Sequence, residues 1–250
     1  MSNMPVSHVL SERISPVPRD VSSRPVPMRL RPTVVLVLVF LAMASWGALA
    51  QRQSAAHSHT LQVPSSPAAL YAGLILMEWG LVYYVWKAAL GGSSVSLRDL
   101  IGGRWKTLRG VAADVAIGLL TWGAWTLVSW LWVSWSGPDA AASVDSLLPH
   151  RPHEVALWIL LSLSAGFSEE LVFRGYLQRQ FHALTGRASI ALFLQAALFG
   201  VSHGYQGVFA CTRIFVYGLL FGGLAIGRRS LRPGMVAHAW TDIASGLLLN

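Results

Sequence analysis

Apolar residues run along this chain in blocks too long and too unbroken for the surface helices of a soluble domain. Seven stretches, near residues 33–50, 68–86, 111–135, 155–176, 188–206, 209–227 and 233–250, approach or exceed the roughly 20 residues a helix needs to cross a bilayer. Short polar segments separate them. The pattern predicts an all-α, polytopic transmembrane helix bundle of about seven helices, within a range of six to eight. Composition agrees, with 54% of the 250 residues hydrophobic and 12% charged, and a mean hydropathy of +0.51.

The basic residues predict an orientation. With the N-terminus in the cytoplasm, all of the 19 arginines and lysines except Arg52, Arg151 and Arg213 fall in inner segments, as the retention of positive charge on that side requires. The C-terminus is then outside. The net charge of +8 belongs to loops lying against anionic lipid, and no nucleic-acid partner is expected. Residues 1–32 are rich in proline, arginine and serine without apolar periodicity, which predicts a disordered basic cytoplasmic tail. The short run Ala48, Leu49 and Ala50 bears a slight likeness to a cleavage site, but the long charged region before the first span does not suit a signal peptide. A single cysteine, Cys211, excludes an intramolecular disulfide and a thiolate metal cluster.

Three regions follow. The tail 1–32 precedes N-terminal transmembrane helices over 33–150, in which 91–110 reads either as an interfacial helix or as a solvated basic loop. A loop over 136–153 with Gly137, Pro138, Pro149 and Pro152 then leads into the chemically richer region 151–250. No internal repeat is evident.

Polar chemistry concentrates in that last region. Two of the five glutamates, Glu169 and Glu170, are adjacent within one apolar stretch, where ionisable side chains are costly and functional by default. Glu170 with Arg174, Phe199 with His203, and His238 with Asp242 are each four residues apart, so each pair shares a helical face. Counted back from a turn at Thr185 and Gly186, Glu169 and His203 sit about 16 and 18 residues away, at similar depth. His238, five residues past Pro233, is expected to lie shallower. Glu78 reads as a helix-pairing residue, with lining of a cavity as the alternative. Asp114 and Gln195 suit an interface or helix packing, and the tryptophans of the third span suit packing and anchoring.

Three motifs carry a resemblance. Glu169-Glu170-Leu171-Val172-Phe173-Arg174 reads as EExxxR, Phe199-Gly200-Val201-Ser202-His203 as FxxxH, and His238-Ala239-Trp240-Thr241-Asp242 as HxxxN/D. In this order on separate helices they resemble the CAAX-protease and bacteriocin-processing group of intramembrane proteases, also called CPBP or Abi. The likeness covers about residues 154–250 and extends to Arg174-Gly175-Tyr176-Leu177 and the glycine-rich run Gly218–Gly223.

The resemblance implies an endopeptidase in the lipid bilayer that cuts a membrane-associated protein or peptide substrate. In some members this is a prenylated CAAX C-terminus and in others a secreted peptide. A compact catalytic region with a short tail looks most like a prokaryotic plasma-membrane member. It also implies roles. Without a metal, Glu169 helped by His203 takes a proton from water, while His238 and Asp242 stabilise or orient the oxyanion; Glu170, Arg174 and Phe199 support the site. Asp242 departs from the asparagine often found there, and an ionised aspartate cannot donate to an oxyanion, so it orients His238 or binds a cation. With a metal, His203, His238 and either Glu169 or Asp242 would hold Zn2+. The metal-free chemistry is favoured, because the chain has no HExxH helix. The remaining function classes are an ion or proton relay and a partner-binding scaffold. The absence of paired repeats counts against the first, and the presence of every motif residue counts against the second.

Overall fold

The computed structural model describes residues 26–56, 66–136 and 148–248. Most of the 1–32 tail and of the 136–153 loop lies outside these residues. The described chain is helical throughout. Helix α1 (Leu30–Ala56) is followed by α2 (Ala68–Tyr84), which widens into a π-helical turn at Val85–Ala89. Then come the short α3 (Leu97–Ile101), the long α4 (Leu108–Ser136), and α5 (Pro152–Glu169), which runs through π-helical turns at Glu170–Leu177 into α6 (Gln178–Thr185). Helix α7 (Ala188–Ser202), a 3-10 turn at Gly204–Gln206, α8 (Val208–Arg228) and α9 (Arg232–Leu248) complete the fold. This is the expected all-α bundle.

Five of these segments are long and apolar enough to cross a membrane: Leu30–Ala50, Ala68–Ala89, Leu108–Trp135, Pro152–Thr185 and Val208–Arg228. Two of the seven expected spans are shorter as helices, α7 with 15 residues and α9 with 17. They pack against other helices of the bundle, α7 against α8 and α9 against α4 and α5. The exposed apolar residues, such as Leu76, Leu120, Trp130 and Val208, are those of a protein solvated by lipid, since a soluble protein rarely leaves so many large side chains uncovered.

Contacts between helix ends show which ends lie together. The Arg29 backbone N–H donates to Gln180 Oε1 at 2.7 Å and its guanidinium to the Gly91 carbonyl at 3.0 Å, joining the start of α1 to α6 and to the end of α2. Arg179 donates to the carbonyls of Asp99 and Leu100 in α3. Arg228 reaches Asp114 near the start of α4. One end of the bundle therefore collects Arg29, Lys87, Arg104, Lys106, Arg228 and Arg232 among others.

Candidate active site

Where α5 reaches Glu170 the backbone loosens, and the Gln178 N–H donates to the Phe173 carbonyl five residues back. Such π-helical turns are rare and gather at functional sites. Every residue from Glu170 to Leu177 is buried, although Glu170 and Arg174 are charged. Arg174 Nη1 lies 3.1 Å from Glu170 Oε1. This is an ion pair without an aligned hydrogen bond, since no guanidinium nitrogen of Arg174 has a hydrogen-bond partner among the described residues. The cation is compensated by rings instead: its guanidinium carbon lies 4.1 Å from the Phe199 centroid, 5.8 Å from that of Tyr217 and 5.9 Å from that of Phe221. The negative faces of aromatic rings attract a desolvated cation.

Helix α9 brings His238 to this pair. It can approach because Gly166 of α5 has no side chain; a Cβ there would lie 2.7 Å from the Ala239 amide nitrogen. His238 Nδ1 is 3.0 Å from Glu170 Oε1, so Glu170 joins Arg174 to the imidazole. The other ring nitrogen, Nε2, faces Glu169 Oε2 at 3.7 Å and Asp242 Oδ2 at 3.6 Å. Both gaps exceed a direct hydrogen bond and are the kind that a bridging polar group fills. The two neighbouring glutamates thus differ sharply: the Glu170 side chain is 1% exposed and Glu169 is 23% exposed.

His203 stands apart from this contact set. Its Nδ1 meets the Phe199 carbonyl at 2.9 Å and the Ser202 hydroxyl at 3.2 Å, and its ring packs 5.0 Å from Phe199. Among the described residues no hydrogen bond or ion pair joins it to Glu169; the imidazole beside Glu169 is that of His238. Phe199 connects the two histidines, since its ring also packs 6.3 Å from His238.

His238 lies deeper than counting from Pro233 suggests. The turn before α9 is tucked under α3, with buried Leu231 donating its N–H to the Ile101 carbonyl at 3.0 Å. The helix therefore starts inside the bundle, and six residues suffice to reach Glu170.

Sequence reasoning gave too little weight to Glu78. This α2 residue is 5% exposed, with Oε2 lacking a partner among the described residues. Its charged neighbours are Glu169, Asp242 and His238. Next to it, Trp79 donates to Ser164 Oγ at 3.1 Å and stacks on Phe167. Helix α2 thus both pairs with α5 and places a carboxyl at the site. The only signal in the sequence was a lone glutamate in an apolar span.

The donor set does not assemble around a metal. His203 is turned to a backbone carbonyl, and among the described residues no group of three His, Cys, Asp or Glu side chains is placed to hold an ion.

The sequence model of the family described as Type II CAAX prenyl endopeptidase Rce1-like matches residues 151–244. The match covers all three motifs and bears out the resemblance to CAAX proteases drawn from them, over a stretch shorter than half the chain. No curated protein and no solved structure matches.

Proposed function

We propose that this integral membrane protein, of the CAAX-type intramembrane protease family, hydrolyses a peptide bond in a membrane-associated substrate with Glu169 as the general base. The observation that carries this reading is the division of labour between adjacent carboxylates. Glu170 is sealed between Arg174 and His238, whereas Glu169 is partly open and faces an imidazole nitrogen across 3.7 Å. A carboxylate already held by two partners is a poor proton acceptor; an accessible one beside a gap can bind and polarise water.

The chemistry balances on residues of this chain. Water attacks the scissile carbonyl carbon through its oxygen while Glu169 takes one of its protons. In its protonated form His238 donates from Nε2 to the oxyanion, with Nδ1–H fixed on Glu170. As the C–N bond breaks, the proton held by Glu169 passes to the leaving nitrogen, which restores the carboxylate. Asp242, on the far side of Nε2, orients the ring. Preorganised donors of this kind stabilise developing charge most effectively where water is excluded. The His203 ring on Phe199 borders the site and supports the geometry through that ring.

The basic end of the bundle supports a cytoplasmic N-terminus. The substrate is a membrane-associated protein or peptide bearing either a prenylated C-terminal CAAX sequence or an unmodified hydrophobic segment. Both are to be offered to the purified protein in proteoliposomes, with wild type beside Glu169→Gln. Cleavage by wild type alone supports the reading, and undiminished cleavage by well-folded Glu169→Gln overturns it. Metal analysis of the same preparations tests the metal-free assignment. Near-stoichiometric zinc that disappears in both His203→Ala and His238→Ala would overturn it.

A further inference from the structure

At the basic end, away from the candidate active site, the α3–α4 connection and the α8–α9 turn enclose a cleft of about 360 Å³, within the lower part of the range of ligand-binding pockets. Its wall is an organised framework. Asp114 accepts a hydrogen bond from the Trp105 indole at 2.8 Å, and pairs with Arg228 at 3.1 Å and Arg232 at 3.5 Å. Arg232 lies over the Trp105 ring and also donates to the carbonyls of Gly102 and Gly103. These two arginines are fixed by protein partners. Arg104, Lys106 and Arg229, which line the same cleft, have no ion pair among the described residues.

Arg229 carries a second signal. Its φ of 51° makes it the sole non-glycine residue in the left-handed region among the described residues, at the position that ends α8. Glycine or asparagine is the usual occupant of such a cap, because a side chain there strains the backbone. An arginine at a strained position beside two more unpaired cations points to a bound anion.

We infer that this cleft binds the phosphate of an anionic phospholipid headgroup. The cleft lies where the amphipathic segment around Trp105 and exposed Leu108 meets the bundle end, at the level of the lipid headgroups on the basic side. A lipid delivers the phosphate there with its acyl chains already in the bilayer, and Trp105 provides the interfacial anchor. The site depends on neither Glu169 nor the proposed hydrolysis, so it stands or falls separately.

The test uses the full chain, delipidated in an uncharged detergent, with its thermal unfolding midpoint followed during titration with phosphatidylglycerol, phosphatidylcholine or inorganic phosphate. A saturable rise with phosphatidylglycerol alone is expected. The combined variant Arg104→Gln, Lys106→Gln, Arg229→Gln should weaken that response about a hundredfold, at about fivefold per cation. A control with equal charge loss outside the cleft, Arg31→Gln, Arg98→Gln, Arg109→Gln, should stay within about twofold of wild type. Arg229→Gly separates binding from folding: it should raise the lipid-free midpoint by relieving the left-handed cap, yet weaken the lipid response about fivefold. An equal response to phosphatidylcholine, saturation by inorganic phosphate alone, no response to any of the three, or an equal loss in the control variant would each overturn the inference.

Discussion

The N-terminal helices and the α5 stretch that follows them meet the membrane differently. Across the most apolar stretch of each span, 22%, 22% and 17% of residues are buried in the first three, against 44% in Pro152–Thr185 and 28% in Val208–Arg228. The front helices form a lipid-facing shell, and α5 with its π-helical continuation is the element they shelter. The side chains of the candidate site follow the same division, since Glu169, Glu170, Arg174, His203, His238 and Asp242 all lie behind residue 150. Within that site Glu78 is the exception that joins the two regions. A site recognised from its motifs alone would therefore omit a carboxyl that the shell contributes.

Four substitutions probe that division. Glu169→Gln should lower turnover about a thousandfold while the folded yield in detergent is unchanged, as expected for loss of a general base. Arg174→Met should destabilise the protein by about 3–5 kcal/mol, because it leaves Glu170 buried without its cation. This would be read as a fall in unfolding midpoint, and the double variant Glu170→Gln, Arg174→Met should recover most of it. A double variant as unstable as the single one would mean that the rings around Arg174 require the cation itself. Glu78→Gln tests the link between shell and core, with an expected loss of turnover of about tenfold and a stability change below about 1 kcal/mol. An unchanged rate would confine the chemistry to residues behind 150. Leu120→Ala, on the exposed face of α4, should change stability by less than about 0.5 kcal/mol and turnover not at all.

The helices were legible because hydropathy reports burial in lipid or protein alike. That same indifference made the count of spans uncertain: α9 is largely covered by other helices and α7 is covered on one face while exposing Phe193 and Val201 on the other, and nothing in their composition distinguishes the two situations. The pairing of Glu170 with Arg174 and of His238 with Asp242 was visible in four-residue spacing. The π-helical turns were not visible, since one shifted backbone hydrogen bond leaves no mark on side-chain periodicity. Nor was the depth of His238, which rests on a long-range bond from Leu231 to Ile101. The partnership of Glu169 with His238 over His203 depends on how α9 packs against Gly166, a tertiary detail that motif order does not encode.

The ion pair of Glu170 and Arg174 also bears on how the chain is made. Both charges belong to one continuous stretch, four residues apart, so they can neutralise each other as soon as that stretch becomes helical. The aromatic rings that later enclose Arg174 come from α7 and α8, which leave the ribosome afterwards. The segment can thus enter the bilayer with this arginine neutralised at a stage when the rings of α7 and α8 are not yet there to shield it. Moving either charge to a different helix would preserve the final contact and remove that protection during insertion.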